Sequence, residues 1–175
     1  MDSFLLWIQS WFGGANTTDL TPAQDCPLCV CGKTNLNRLL NGNETGVNQY
    51  PWMAILLYNN EFFCGGSLIN DRFVLTAAHC FEFIEQNSIK NITVRLLEHD
   101  RSTDTETKLI DRNVQSVLIH PKFTDDTYNN DIVLVKFTKP VKFDEVLKPV
   151  CLPTPLLDYD GYNGVVTGWG ATQRG

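Results

Sequence analysis

His79 ends the apolar run VLTAAHC, residues 74–80. An imidazole there is suited to moving a proton near neutral pH. Farther along, Asp131 heads the otherwise apolar stretch DIVLVKF, residues 131–137. A carboxylate at such a position would normally be buried, at a cost of several kcal/mol unless it is hydrogen-bonded or paired. A neutral imidazole with its N–H aimed at that carboxylate meets the need. The couple would hold one tautomer and stabilise the imidazolium that forms when the other ring nitrogen takes a proton. That chemistry is general-base activation of a nucleophile in covalent catalysis. Each residue alone also has an ordinary explanation. A histidine closing a strand is commonly a packed or surface residue, and an acid at a strand edge is commonly solvated at a turn.

The elements that must position this couple read as short strands. MAILLY (53–58), FFCGGSLI (62–69) and FVLTAA (73–78) are rich in β-branched and aromatic residues and are separated by Asn59-Asn60 and by Asn70-Asp71-Arg72. ITVRLLE (92–98), NVQSVLI (113–119), DIVLVKF (131–137) and GVVTGWG (164–170) continue the series. Regular spacing and the absence of long helical periodicity predict an all-β antiparallel sandwich or barrel and argue against α/β. LKPVCLPTPLLDYDGYNG (147–164) is proline-rich and then turn-rich, as expected of a crossing between two structural units. No internal repeat or low-complexity tract is present.

A chain of 175 residues holds one domain or a piece of a larger one. Twenty acidic against 14 basic side chains leave a net charge of -6, which disfavours nucleic acid as a partner. Cys26, Cys29, Cys31, Cys64, Cys80 and Cys151 form an even set, and sequons at Asn16, Asn43 and Asn91 accompany them. Together they point to an oxidising, secretory, extracellular setting. The N-terminal MDSFLLWIQSWFGGA fits a signal peptide poorly: its apolar run is short and Asp2 stands where positive charge is expected. It is read as a disordered leader or an artefact of the assigned start ahead of an atypical signal. No segment reaches the roughly 18 apolar residues of a spanning helix, so no membrane partner is expected. Residues 13–50 read as leader and linker, with the packed domain beginning near Tyr50.

PWMAILLYNNEFFCGGSLINDRFVLTAAHC, YNNDIVLVKF, LKPVCLP and VTGWG, in that order, resemble the first half of a trypsin-like serine endopeptidase of the chymotrypsin fold. The likeness runs from about Arg38 to the last residue and implies a first β-barrel followed by the opening strand of a truncated second one. The division it implies is a leader over 1–38 and a protease domain over 39–175. By resemblance, His79 is the general base and Asp131 its orienting carboxylate, roles inherited from the family's well-described triad.

The resemblance also implies how the cysteines pair. Cys64 and Cys80 resemble the bridge between two neighbouring strands beside the catalytic histidine. Cys31 and Cys151 resemble the bond that tethers an activation peptide. Cys26 and Cys29 are left to bond each other or a partner protein, and metal binding by CPLCVC is the sharper alternative, disfavoured by an extracellular setting. NRLLNG, residues 37–42, sits where zymogens of the family are cut by an activating protease, which implies cleavage between Arg38 and Leu39. The new terminus would be Leu-Leu-Asn-Gly in place of the family's Ile-Val-Gly-Gly. The bland reading is an unprocessed basic residue in a linker. EHDRSTDTET, residues 98–107, falls where some relatives bind calcium, and Glu98, Asp100, Asp104 and Glu106 offer hard oxygen ligands. A solvated charged loop is the more ordinary reading, so no cofactor is expected. His99 and His120 have no catalytic context and are read as surface residues.

The family's triad runs His, Asp, Ser, yet no serine follows Asp131, and Ser67, Ser88, Ser102 and Ser116 lie outside any Gly-x-Ser-x-Gly elbow. The oxyanion hole, the specificity pocket and the carboxylate that receives the new terminus belong to the second barrel. The 175 residues alone are therefore expected not to hydrolyse peptides, whereas a complete enzyme would take protein or peptide substrates. The competing reading is a non-catalytic homologue that keeps the first barrel as a binding or regulatory module.

Overall fold

The computed structural model describes residues 30–35, 45–103, 105, 108–153 and 158–170. Strands β1 (Met53–Tyr58), β2 (Glu61–Leu68), β3 (Phe73–Thr76), β4 (Ile92–Leu96), β5 (Ile110–Ile119) and β6 (Val133–Phe137) form where apolar and β-branched residues recur between turns. All neighbouring pairs are antiparallel, and the order β1-β2-β3-β6-β5-β4 closes when β4 pairs with β1. The described residues thus form an all-β, closed six-stranded barrel.

Local chemistry explains the hairpins. Asn59 and Asn60 join β1 to β2 at φ 51° and 68°. Two left-handed residues make the turn whose twist matches that of the strands, and asparagine tolerates that conformation well. At Gly66 on β2 the wall closes tightly: a Cβ there would stand 2.6 Å from Val74 Cγ1 and 3.0 Å from the Leu75 carbonyl oxygen.

Alternation along β6 sorts two cores. Val133, Val135 and Phe137 are fully buried among Leu56, Leu68 and Val94 inside the barrel. Leu134 faces the other way and packs with Ile69 and Phe73, under Val150 and Leu152 of the segment that returns along the outside. A side chain such as Phe137 contributes about 1.5 to 3 kcal/mol by leaving water.

Several expectations need correction. Residues 164–170 form no strand; a strand persists only with a hydrogen-bonded neighbour, and none among the described residues pairs with this stretch, where Val166 is fully exposed. The packed domain does not begin at Tyr50: Gly32 N–H donates to the Pro149 carbonyl and Asn35 N–H to the Gln49 carbonyl, so 30–35 belongs to the body. His120 is a buried residue, 4% exposed, because its backbone N–H donates to the Ile132 carbonyl and fixes it beside the start of β6. His99 is half-buried.

Candidate active site

Register brings the two key residues together. Thr76 at the end of β3 pairs with Val133 at the start of β6. In an antiparallel pair, the chain just after Thr76 and the chain just before Val133 leave the barrel at the same end. His79 follows in the short 3-10 turn Ala78–Phe81, and Asp131 stands two residues before β6.

The approach to Asp131 is bent by two left-handed residues, Tyr128 at φ 52° and Asn130 at φ 56°. Asn130 Nδ2 donates to the Lys122 carbonyl, and Thr124 N–H to the Asn129 carbonyl, tying the bend down. Asparagine accepts such a conformation readily; tyrosine does so at a cost of about 1 to 2 kcal/mol, which surrounding contacts must offset.

His79 occupies both oxygens of the carboxylate. Its Nδ1 lies 2.7 Å from Asp131 Oδ2, and its backbone N–H donates to Oδ1 at 2.8 Å. The imidazole is 48% exposed while the carboxylate is 22% exposed, so the base reaches outward from a partner that is largely shielded. Burial pushes the Asp131 carboxyl up, but the hydrogen bonds from the His79 ring, the His79 N–H and the Ala78 N–H outweigh it and hold the group below the ordinary carboxylate value. With Nδ1–H donating to the carboxylate, Nε2 keeps its lone pair for a proton. Among the described residues the polar contact of Nε2 is with Cys80 Sγ at 3.7 Å.

Cys64 on β2 is bonded to Cys80 in the 3-10 turn. The bridge therefore joins a strand to the histidine's own turn and not two neighbouring strands. Cys64, Cys80 and His79 cluster closely, but both sulfurs are spent in the disulfide and offer no thiolate to a metal. Cys31 is bonded to Cys151 across 120 residues of sequence. Sequence reasoning passed over Tyr128, whose ring stands edge-on to the imidazole with centroids 5.9 Å apart. The asparagine-rich YNND turn was the available signal, since such a turn aims whatever residue it contains.

Asn91 is exposed at the end of the 3-10 segment Gln86–Asn91. Glu98 is buried, and Asp100 is exposed at the start of the following loop. Arg38, Leu39, Asn16, Asn43, Cys26, Cys29, Asp104 and Glu106 lie outside the described residues. No helix among the described residues is long and apolar enough to cross a membrane.

A single closed antiparallel barrel with a histidine–aspartate couple at the mouth between β3 and β6 is the architecture of a trypsin-like barrel of the chymotrypsin fold. Residues 39–175 match the family model described as Trypsin, and the chain belongs to that family. It is 38% identical over 146 residues to a venom serine protease of Polistes dominula, an overlap of 81% of this chain and 52% of that protein. It is 39% identical over 158 residues to venom serine protease 34 of Apis mellifera, covering 85% and 38%. It is also 40% identical over 138 residues to vitamin K-dependent protein C of Rattus norvegicus, covering 76% and 29%. The chain thus spans about half the length of the first relative and less of the other two.

Proposed function

We propose that this chain carries the general-base half of a serine endopeptidase that acts outside the cell. The observation that carries the reading is the double grip of His79 on Asp131, with Nδ1 at 2.7 Å and the backbone N–H at 2.8 Å. A serine outside these 175 residues supplies the nucleophile. His79 Nε2 takes its proton as the oxygen attacks the peptide carbonyl and returns that proton to the departing amine, while Asp131 stabilises the imidazolium. Without that serine and the backbone amides that would hold the oxyanion, the 175 residues by themselves do not cleave peptides.

Residues 1–38 form the leader of a zymogen and 39–175 the protease portion, cut by an activating protease between Arg38 and Leu39. The substrates are proteins or peptides, with neither nucleic acid nor membrane as a partner. Asn16, Asn43 and Asn91 are the glycosylation acceptors; the exposed position of Asn91 supports the reading there.

The test uses a fluorophosphonate probe, which labels only a serine activated by a working base. Full-length protein activated by Arg38 cleavage should label. His79→Ala and Asp131→Asn should not, nor should the 175-residue chain alone. Equal labelling of the wild type and His79→Ala would reject the assignment.

A further inference from the structure

The loop that leaves β4 is the one whose acids resemble the calcium ligands of some relatives, so its described residues can be asked whether they fit that ion. Arg95 and Asp111 are register partners across β4 and β5. Arg95 Nε and Nη2 donate to the two carboxylate oxygens of Asp111 at 2.8 and 2.9 Å, a forked pair that fixes the guanidinium plane. The third nitrogen, Nη1, lies 3.7 Å from Glu98 Oε2. Glu98 arrives there because Leu97 takes a left-handed φ of 61°, which turns the chain back at the end of the strand. Its side chain is only 6% exposed.

Farther along, Asp100 Oδ1 accepts the Ser102 N–H at 2.9 Å and the Ser102 hydroxyl at 2.7 Å. The His99 carbonyl accepts the Trp169 Nε1–H at 2.8 Å, and the Arg101 guanidinium sits 3.9 Å above the Phe62 ring. The start of the loop is thus held by protein groups.

Glu98 as placed does not fit a calcium ion. Calcium needs roughly six to eight oxygens that converge on open space. Here the buried acid already faces a fixed cation, and a dication bound to Glu98 would stand against that guanidinium and be repelled by it. We infer that Arg95 is the built-in cation at the start of this loop: one guanidinium binds the Asp111 and Glu98 carboxylates together and holds Glu98 in place without calcium. The inference stands apart from the catalytic reading, since none of these groups touches His79.

Thermal unfolding of the 175-residue chain tests it, in EDTA and in about 5 mM calcium, above the roughly 10⁻⁴ to 10⁻³ M at which extracellular sites load. Terbium luminescence sensitised by Trp169, bonded to the loop through His99, is the second readout. Wild type should unfold at the same temperature in both media and give no terbium signal. Arg95→Met should unfold roughly 2 to 8 °C lower in EDTA. Calcium should recover part of that loss and terbium should light up, because two acids are left facing each other. Should Arg95→Met fail to fold, Arg95→Lys keeps the charge without the fork, and it should be intermediate in stability and indifferent to calcium. A wild-type chain stabilised by calcium or lit by terbium would overturn the inference. So would Arg95→Met unfolding at the wild-type temperature, or losing stability that calcium does not restore, which would leave Arg95 a packing residue only.

Discussion

Both oxygens of Asp131 are committed to His79, one to the ring and one to the backbone, so the carboxylate orients the imidazole in two directions at once. In the complete enzyme proposed above, Asp131→Asn puts an amide N–H₂ where one of two acceptors is needed and should reduce kcat with little change in KM. The size, about 10⁴, is the family's own and not a product of this geometry. A further prediction concerns titration. The Asp131 carboxyl is held below its ordinary value, so its contribution to stability is present above that value and lost as pH falls through the folded-state one. In His79→Ala the carboxyl resonance should titrate at higher pH, and the acid limb of the stability curve should flatten. His120 has the same sign for a different reason. Burial, helped by Lys122, lowers its pKa, so the unfolded chain takes up a proton first as pH falls below about 6.5 and stability drops with it. His120→Gln should flatten that part of the curve in denaturant titrations. His79 and Asp131 stood out in the sequence because each breaks an apolar pattern. The burial of His120 did not, because a backbone bond to Ile132, distant in the sequence, sets it.

Antiparallel pairing of Thr76 with Val133 converts two unremarkable strand ends into one site, and a slip of a single residue would send every side chain of β6 to the wrong face. Gly66 protects that register by letting β2 close onto Val74 and Leu75. Gly66→Ala forces a Cβ into that gap and should cost about 1 to 3 kcal/mol, read as a lower denaturation midpoint at unchanged m-value. The bridge from Cys64 to Cys80 closes a separation of 16 residues, worth roughly 3 kcal/mol by chain entropy. The double Cys→Ala variant should lose about that much and should broaden the His79 ring resonances in NMR. Strand positions were legible because Asn59-Asn60 and Asn70-Asp71-Arg72 punctuate dense β-branched runs. GVVTGWG carries the same pattern, yet pattern describes only what a segment could pair with, and no described strand meets it. The short 3-10 turn that carries His79 left no periodic trace; a single turn of Ala-His-Cys-Phe is too brief to show one.

At the scale of the whole molecule, order and exposure are unevenly spread. Most apolar residues of the barrel strands are buried, whereas Tyr162 near the end of the crossing segment and Val165 and Val166 just past it stand in water. Exposed apolar side chains in one stretch favour association. The 175-residue chain should bind a hydrophobic dye and show concentration-dependent sedimentation, and Val165→Ser with Val166→Ser should weaken both. Chain order alone hinted at that crossing; its exposure depends on which surfaces lie opposite, which no single segment encodes. The segment 30–35, by contrast, is stitched down. Cys31 is bonded to Cys151, Asn35 Nδ2 reaches the Asn48 and Val146 carbonyls, and Lys148 Nζ donates to Asn35 Oδ1 at 2.7 Å. A nick anywhere between residues 36 and 44 would therefore leave two polypeptides migrating as one band in a non-reducing gel. Adding dithiothreitol would part them, so a pair of gels would register any cut in that stretch.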